Sequence, residues 1–143
     1  MNFRPHPQGD SRRRSSAKLI KMLLANNSPD VSEHVEDLID ILLWRITEAD
    51  GKYNTRHKTT GALACTDKSQ LRHEHVYQRS KMITALVKAE PGEVDTILED
   101  AIGCTVTEDE HALLLEFDGL YGWERYRQAG IVVMNTETGE RVI

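Results

Sequence analysis

The chain has 143 residues, 39% of them hydrophobic and 29% charged, with a formal net charge of −5. That length suits one compact domain with a core of its own. No apolar run approaches the roughly 18 residues of a membrane helix, and the N-terminus lacks the apolar stretch of a secretory signal. Cys65 and Cys104 make neither a CxxC pair nor a disulfide framework, so a reduced, cytoplasmic setting without a membrane partner is expected.

The first sixteen residues, MNFRPHPQGDSRRRSS, hold two prolines and three consecutive arginines. They read as a disordered basic arm preceding a single globular domain over residues 17–143. AKLIKMLLAN follows as a short amphipathic helix capped by Ser15 or Ser16. SPDVSEHVEDLIDILLWRITEAD is the strongest helix, with Ser28 as its cap and Pro29 at its first position. Its Val31, Val35, Leu38, Ile39, Leu42, Leu43 and Ile46 recur at helical spacing, and Gly51 ends it.

The next stretch, KYNTRHKTTGALACTDKSQ, is polar and reads as a long loop with one short strand near residues 62–66. LRHEHVY alternates as a strand over residues 71–77, with His73, His75 and Tyr77 on one face and Arg72, Glu74 and Val76 on the other. Met82, Ile83, Leu86 and Val87 then form a helical stripe that stops before Pro91. A second short helix covers PGEVDTILEDA, and a strand covers residues 103–107. The helix TEDEHALLLEF opens with a Thr107–Glu110 capping box. GWERYRQAG is a helix closed by Gly130, and residues 131–143 read as a hairpin. The expected class is α+β, helix-rich, with a small sheet.

Charge is unevenly spread. Residues 89–124 contain eleven Asp and Glu and no Lys or Arg, while residues 51–88 contain eight Lys and Arg, two acids and three histidines. Two accounts fit this basic island: neutralisation by the acidic helices, or contact with an anionic partner, most simply DNA or RNA. On the second account Lys52, Tyr53, Arg56, His57, Lys58, Arg72, Arg79 and Lys81 are the nucleic-acid contacts. Arg56 would clamp phosphate and Tyr53 would stack on a base.

The chemistry-bearing stretch is LRHEHVYQRSK. Neither cysteine has a local histidine motif, and there is no nucleophile elbow and no phosphate-cradling glycine loop. His73 and His75, at i and i+2 on a strand, can converge on one ion, with His111 as a third ligand from a later helix. The order of a strand carrying Glu74-His75-Val76, a second strand and a helix carrying His111 resembles the HNH, or ββα-metal, nucleases over residues 71–115. This resemblance implies that Glu74 and His111 hold a divalent ion (Mg²⁺, Mn²⁺ or Zn²⁺), that His75 activates water, and that phosphodiester bonds are cut. The chain differs from the family in having no Asn between His75 and His111 and two predicted helices between the motifs.

Two alternatives use the same residues. A metal-independent ribonuclease would draw its general acid and base from His73, Glu74 and His75, with surrounding cations on the phosphate. A non-enzymatic binding or inhibitor protein of the phage or mobile-element type would use the basic face to hold nucleic acid or a protein partner.

Overall fold

The computed structural model describes residues 2–143. Among them are seven α-helices and one four-stranded mixed sheet, an α+β single domain. The helices are α1 (Gly9–Ala25), α2 (Ser32–Thr47), α3 (Thr60–Ala64), α4 (Arg79–Lys88), α5 (Val94–Leu98), α6 (Glu108–Leu115) and α7 (Trp123–Ala129). The strands are β1 (His57–Thr59), β2 (Leu71–His75), β3 (Gly103–Thr107) and β4 (Val133–Asn135), in the spatial order β2-β3-β1-β4. β3 is antiparallel to β2 and parallel to β1, and β4 returns antiparallel to β1.

Two apolar clusters hold the domain together. In one, Ile20 of α1 meets Val35, Ile39, Leu43 and Ile46 of α2, Met82 and Leu86 of α4, and Val94 of α5. The 4-4-3 spacing along α2 puts its four residues on a single stripe. In the other, Cys104 and Val106 of β3 pack with Val76, Leu114, Tyr126, Ile131 and Val133. Tyr77 touches both clusters.

The register of the sheet decides what each face carries. Glu74, Cys104 and His57 lie side by side, as do His73, Thr105 and Lys58 one position along. Because side chains alternate across a strand, the first row points to α6 and α7, and in the second His73 reaches α2 while Thr105 and Lys58 meet the loop of residues 53–55. The Thr107–Glu110 capping box starts α6 directly at the end of β3. His111 therefore comes down beside β2.

Several elements depart from the sequence reading. The basic arm expected over residues 1–16 is ordered from residue 2 onward, and α1 begins at Gly9. Arg12 donates to the Ala49 carbonyl at 2.9 Å and Arg13 pairs with Asp50 at 2.6 Å, so these arginines dock at the acidic end of α2. Phe3 is buried, with the Arg56 guanidinium 4.8 Å over its ring. Ser28 spends its hydroxyl on Asp30, and α2 starts only at Ser32. The strand expected near residues 62–66 is replaced by α3, whose cap Thr59 accepts from the Ala62 amide at 2.9 Å. The true strand, β1, lies just upstream in the stretch read as loop. The C-terminal hairpin survives as β4 and a single Met134–Arg141 bridge. β2 itself stops at His75 rather than Tyr77. No described helix is long and apolar enough to cross a membrane.

Candidate functional site

A cleft of about 720 Å³ runs along β2, the open edge of the sheet, between α2 on one side and α6 on the other. Glu74 lies at its base. The side chain is largely buried, and both carboxylate oxygens are engaged. Oε2 is 2.6 Å from His111 Nδ1, and Oε1 accepts from the Arg125 guanidinium at 3.2 Å. Arg125 is 1% exposed, and it also donates to the His75 and Val76 carbonyls at 2.7 Å each. A buried carboxylate needs such partners, since an unpaired one would carry a desolvation cost of several kcal/mol.

In the neutral tautomer that donates Nδ1–H to Glu74, the imidazole of His111 offers Nε2 as a lone pair. Its side chain is 40% exposed at the cleft. A carboxylate that orients a histidine whose far nitrogen is open to ligand is the arrangement of a general base.

The other two histidines of β2 are held differently. His73 Nε2 and His75 Nε2 lie 3.0 and 2.9 Å from the same Thr47 hydroxyl. The Thr47 hydroxyl has one proton and also lies 3.3 Å from the Trp44 carbonyl, so at most one of the two imidazoles accepts from it and the other donates. His75 packs edge-on to Trp44, with ring centroids 4.4 Å apart, and the Arg79 guanidinium lies 4.8 Å over the same indole. Burial is the main reason that both histidines are hard to protonate. His73 is pushed down to about 4, with Arg79 and Lys52 adding to the effect. His75 is pushed down to about 3, with His73 and Arg79 adding. Both are neutral near pH 7.

Of the expected catalytic and metal-binding residues, then, Glu74 and His111 meet, while His73 and His75 face the opposite side of the strand. His75 is bound to Thr47 and is not beside Glu74, because consecutive strand residues point apart. The three histidines do not converge on one ion. Nor does the donor set suit a held divalent ion. Among the described residues no three His, Cys, Asp or Glu side chains gather at ligand spacing, and the Arg125 cation occupies one oxygen of Glu74.

The expected nucleic-acid contacts divide in the same way. Lys52, Tyr53, Arg72 and Arg79 line the cleft. Arg72 is paired with Glu108 at 2.9 Å and Arg79 with Asp40 at 2.6 Å. Arg56 pairs with Glu137 at 2.6 Å, away from the cleft. His57 packs on Trp123 with centroids 5.2 Å apart, and burial lowers its pKa. Lys58 is buried on β1. Lys81 donates to the Asp118 and Leu120 carbonyls at 2.6 and 3.0 Å. Three of the eight cations of the basic island, Arg56, Arg72 and Arg79, are thus paired with carboxylates.

The sequence reading missed Arg125, Thr47 and Trp44 as site residues. Arg125 had a signal, being the first cation after a long acidic block and lying between Trp123 and Tyr126. Thr47 had none, because its role depends on how α2 meets the sheet. No protein-family model, curated protein or solved structure matches the chain.

Proposed function

We propose that the protein cleaves single-stranded RNA without a metal ion, with His111 as general base. The observation that carries this reading is the 2.6 Å contact between His111 Nδ1 and a Glu74 carboxylate fixed by Arg125. RNA is favoured over DNA because it brings its own nucleophile. His111 Nε2 takes the proton of a 2′-hydroxyl, and the 2′-oxygen attacks the adjacent phosphorus. The bond to the 5′-oxygen breaks, that oxygen takes a proton from solvent, and a 2′,3′-cyclic phosphate remains. Lys52, which lines the cleft without a carboxylate partner among the described residues, supplies positive charge toward the phosphate, while Arg72 and Arg79 remain paired with Glu108 and Asp40. β2 and β3 pair antiparallel and α6 follows β3 directly, with α4 and α5 between the two strands in sequence. In this reading Glu74 orients the base instead of holding a metal.

A second reading is favoured by the opposite wall, where Glu36 and Asp37 of α2 and Glu48 just beyond its end line the cleft. That acidic rim suits a basic partner protein, and on this reading the chain binds and does not cleave. The deciding experiment is digestion of labelled single-stranded RNA and DNA with EDTA present, by wild type and His111→Gln. RNA cleavage to cyclic-phosphate ends, lost in the variant, supports the ribonuclease. Cleavage that requires added metal restores the metal-dependent alternative. No product under any condition leaves the binding protein.

A further inference from the structure

A second cleft, of about 390 Å³, shares Lys52 and Tyr53 with the first. Its ionisable walls are of one sign. Arg4, Lys52, Lys58 and Lys68 line it, and no carboxylate does. The larger cleft is different, with acids and bases facing one another.

Each cation is short of a counter-ion among the described residues. Lys58 stands on β1 and is 2% exposed, with its ammonium donating to the Tyr53 carbonyl. An ammonium has three donors, so a buried one with a single carbonyl partner has capacity left over. Arg4 is held by its backbone. Its amide donates to Asn54 Oδ1 at 3.3 Å, and its carbonyl accepts from Asn54 Nδ2 at 2.7 Å. Its guanidinium is left for other contacts. Lys52 lies 5.1 Å over the ring of Tyr53, and Lys68 sits at the start of the turn before β2. Four like charges around one cavity repel one another, and burying one of them costs more still. An anion seated among them removes both penalties.

Tyr53 forms the partition between the two clefts. Its φ of 60° lies in the left-handed region, a conformation that costs a non-glycine residue about 1 kcal/mol or more. That turn points its carbonyl at Lys58, while its hydroxyl donates to the Leu71 carbonyl of β2 at 3.0 Å.

We infer that the cleft bounded by Arg4, Lys52, Lys58 and Lys68 is an oxyanion site, and that it seats a phosphate of the strand whose scissile bond lies across Tyr53 at His111. The second half of this statement rests on the ribonuclease reading, and the anion site itself does not. In the larger cleft Arg72 and Arg79 are committed to carboxylates, whereas all four cations of this site are without one among the described residues.

The test is a titration of the full chain with inorganic phosphate at constant ionic strength, followed by the backbone amide resonances of residues 52–58 and 68–71. Saturable shifts are expected, weakened at least about tenfold in the Arg4→Ala/Lys68→Ala double variant. Both substituted side chains line open cleft wall, so folding is expected to survive. His111→Gln should leave the phosphate response unchanged while removing cleavage. Absent shifts, or shifts indifferent to the double variant, overturn the anion site whatever the cleavage assay gives. A 2′-deoxy oligonucleotide that displaces the phosphate supports the nucleic-acid source. One that leaves it bound overturns that half and leaves a site for free phosphate. Phosphate binding with no RNA cleavage sinks the catalytic reading alone.

Discussion

Arg125 and Glu74 form an ion pair with side chains 1% and 11% exposed, joining α7 to the middle of β2 across 51 positions of sequence. The same guanidinium holds the carbonyls of His75 and Val76. One side chain thus fixes the carboxylate that orients His111 and the backbone that carries it.

Removing that guanidinium leaves Glu74 buried without its cation and two carbonyls without donors. Arg125→Met is expected to cost about 3–5 kcal/mol, read as a drop in the urea midpoint at pH 7. Glu74→Gln in the same background should recover part of the loss, because the stranded charge is gone. A double variant no better than the single would mean that Glu74 is not stranded.

The two sides of β2 give opposite phenotypes. His111→Gln changes a part-exposed side chain and is expected to cut RNA cleavage about 10²–10⁴-fold with little change in melting temperature. His75→Ala removes a buried ring from Trp44 and Thr47. It should cost about 2 kcal/mol of stability while the folded fraction still cleaves. If His75→Ala abolishes cleavage at full stability, the base has been assigned to the wrong histidine.

His73 and His75 make the fold acid-sensitive. Both titrate near 6.5 in the unfolded chain, and in the folded protein near 4 and 3. Below pH 6.5 the unfolded state binds more protons, so stability falls on acidification and levels off once the folded values are passed. Above pH 6.5 the pair contributes no slope. Each histidine contributes at most about 1.4 kcal/mol per pH unit in that window. Denaturant midpoints at pH 7.5, 5.5 and 4.5 should decline in wild type and decline less in His73→Gln/His75→Gln. Equal slopes in the two proteins would remove the pair as the source.

Gly122 caps α7 with φ 64°, and a Cβ there would meet the Tyr77 ring at 2.1 Å. Gly122→Ala is expected to cost about 2–4 kcal/mol from backbone strain and overpacking. The helix that carries Arg125 would shift with it, so cleavage should fall alongside stability. An alanine variant as stable as wild type would show that α7 can move without loss.

The parts of this fold that local sequence determines were legible. The Thr107–Glu110 box, the alternation of LRHEH and the stripe of α2 each depend on neighbours within one or two turns. Glu74 and His111 were expected together as metal ligands on the HNH resemblance, and they meet as a directly hydrogen-bonded pair. What escaped depends on distant chain. The arginines of the first helix look like a tail until Asp50 and the Ala49 carbonyl are set before them. β1, only three residues long, is a strand because β3 and β4 flank it. His75 and Glu74 were expected to act together, yet they lie on opposite faces of β2, since adjacent residues of one strand point apart.

The outer rim of β2 has one further consequence. A sheet edge that lies open is a template for a second chain, and long flat edges invite fibril-like stacking. Here the Leu71 carbonyl is taken by the Tyr53 hydroxyl and by Arg72, and the His75 carbonyl by Arg125. The far edge, β4, is covered by the returning C-terminus. The side chains that build the cleft therefore also occupy two of the carbonyls through which a neighbouring copy would have to pair with β2.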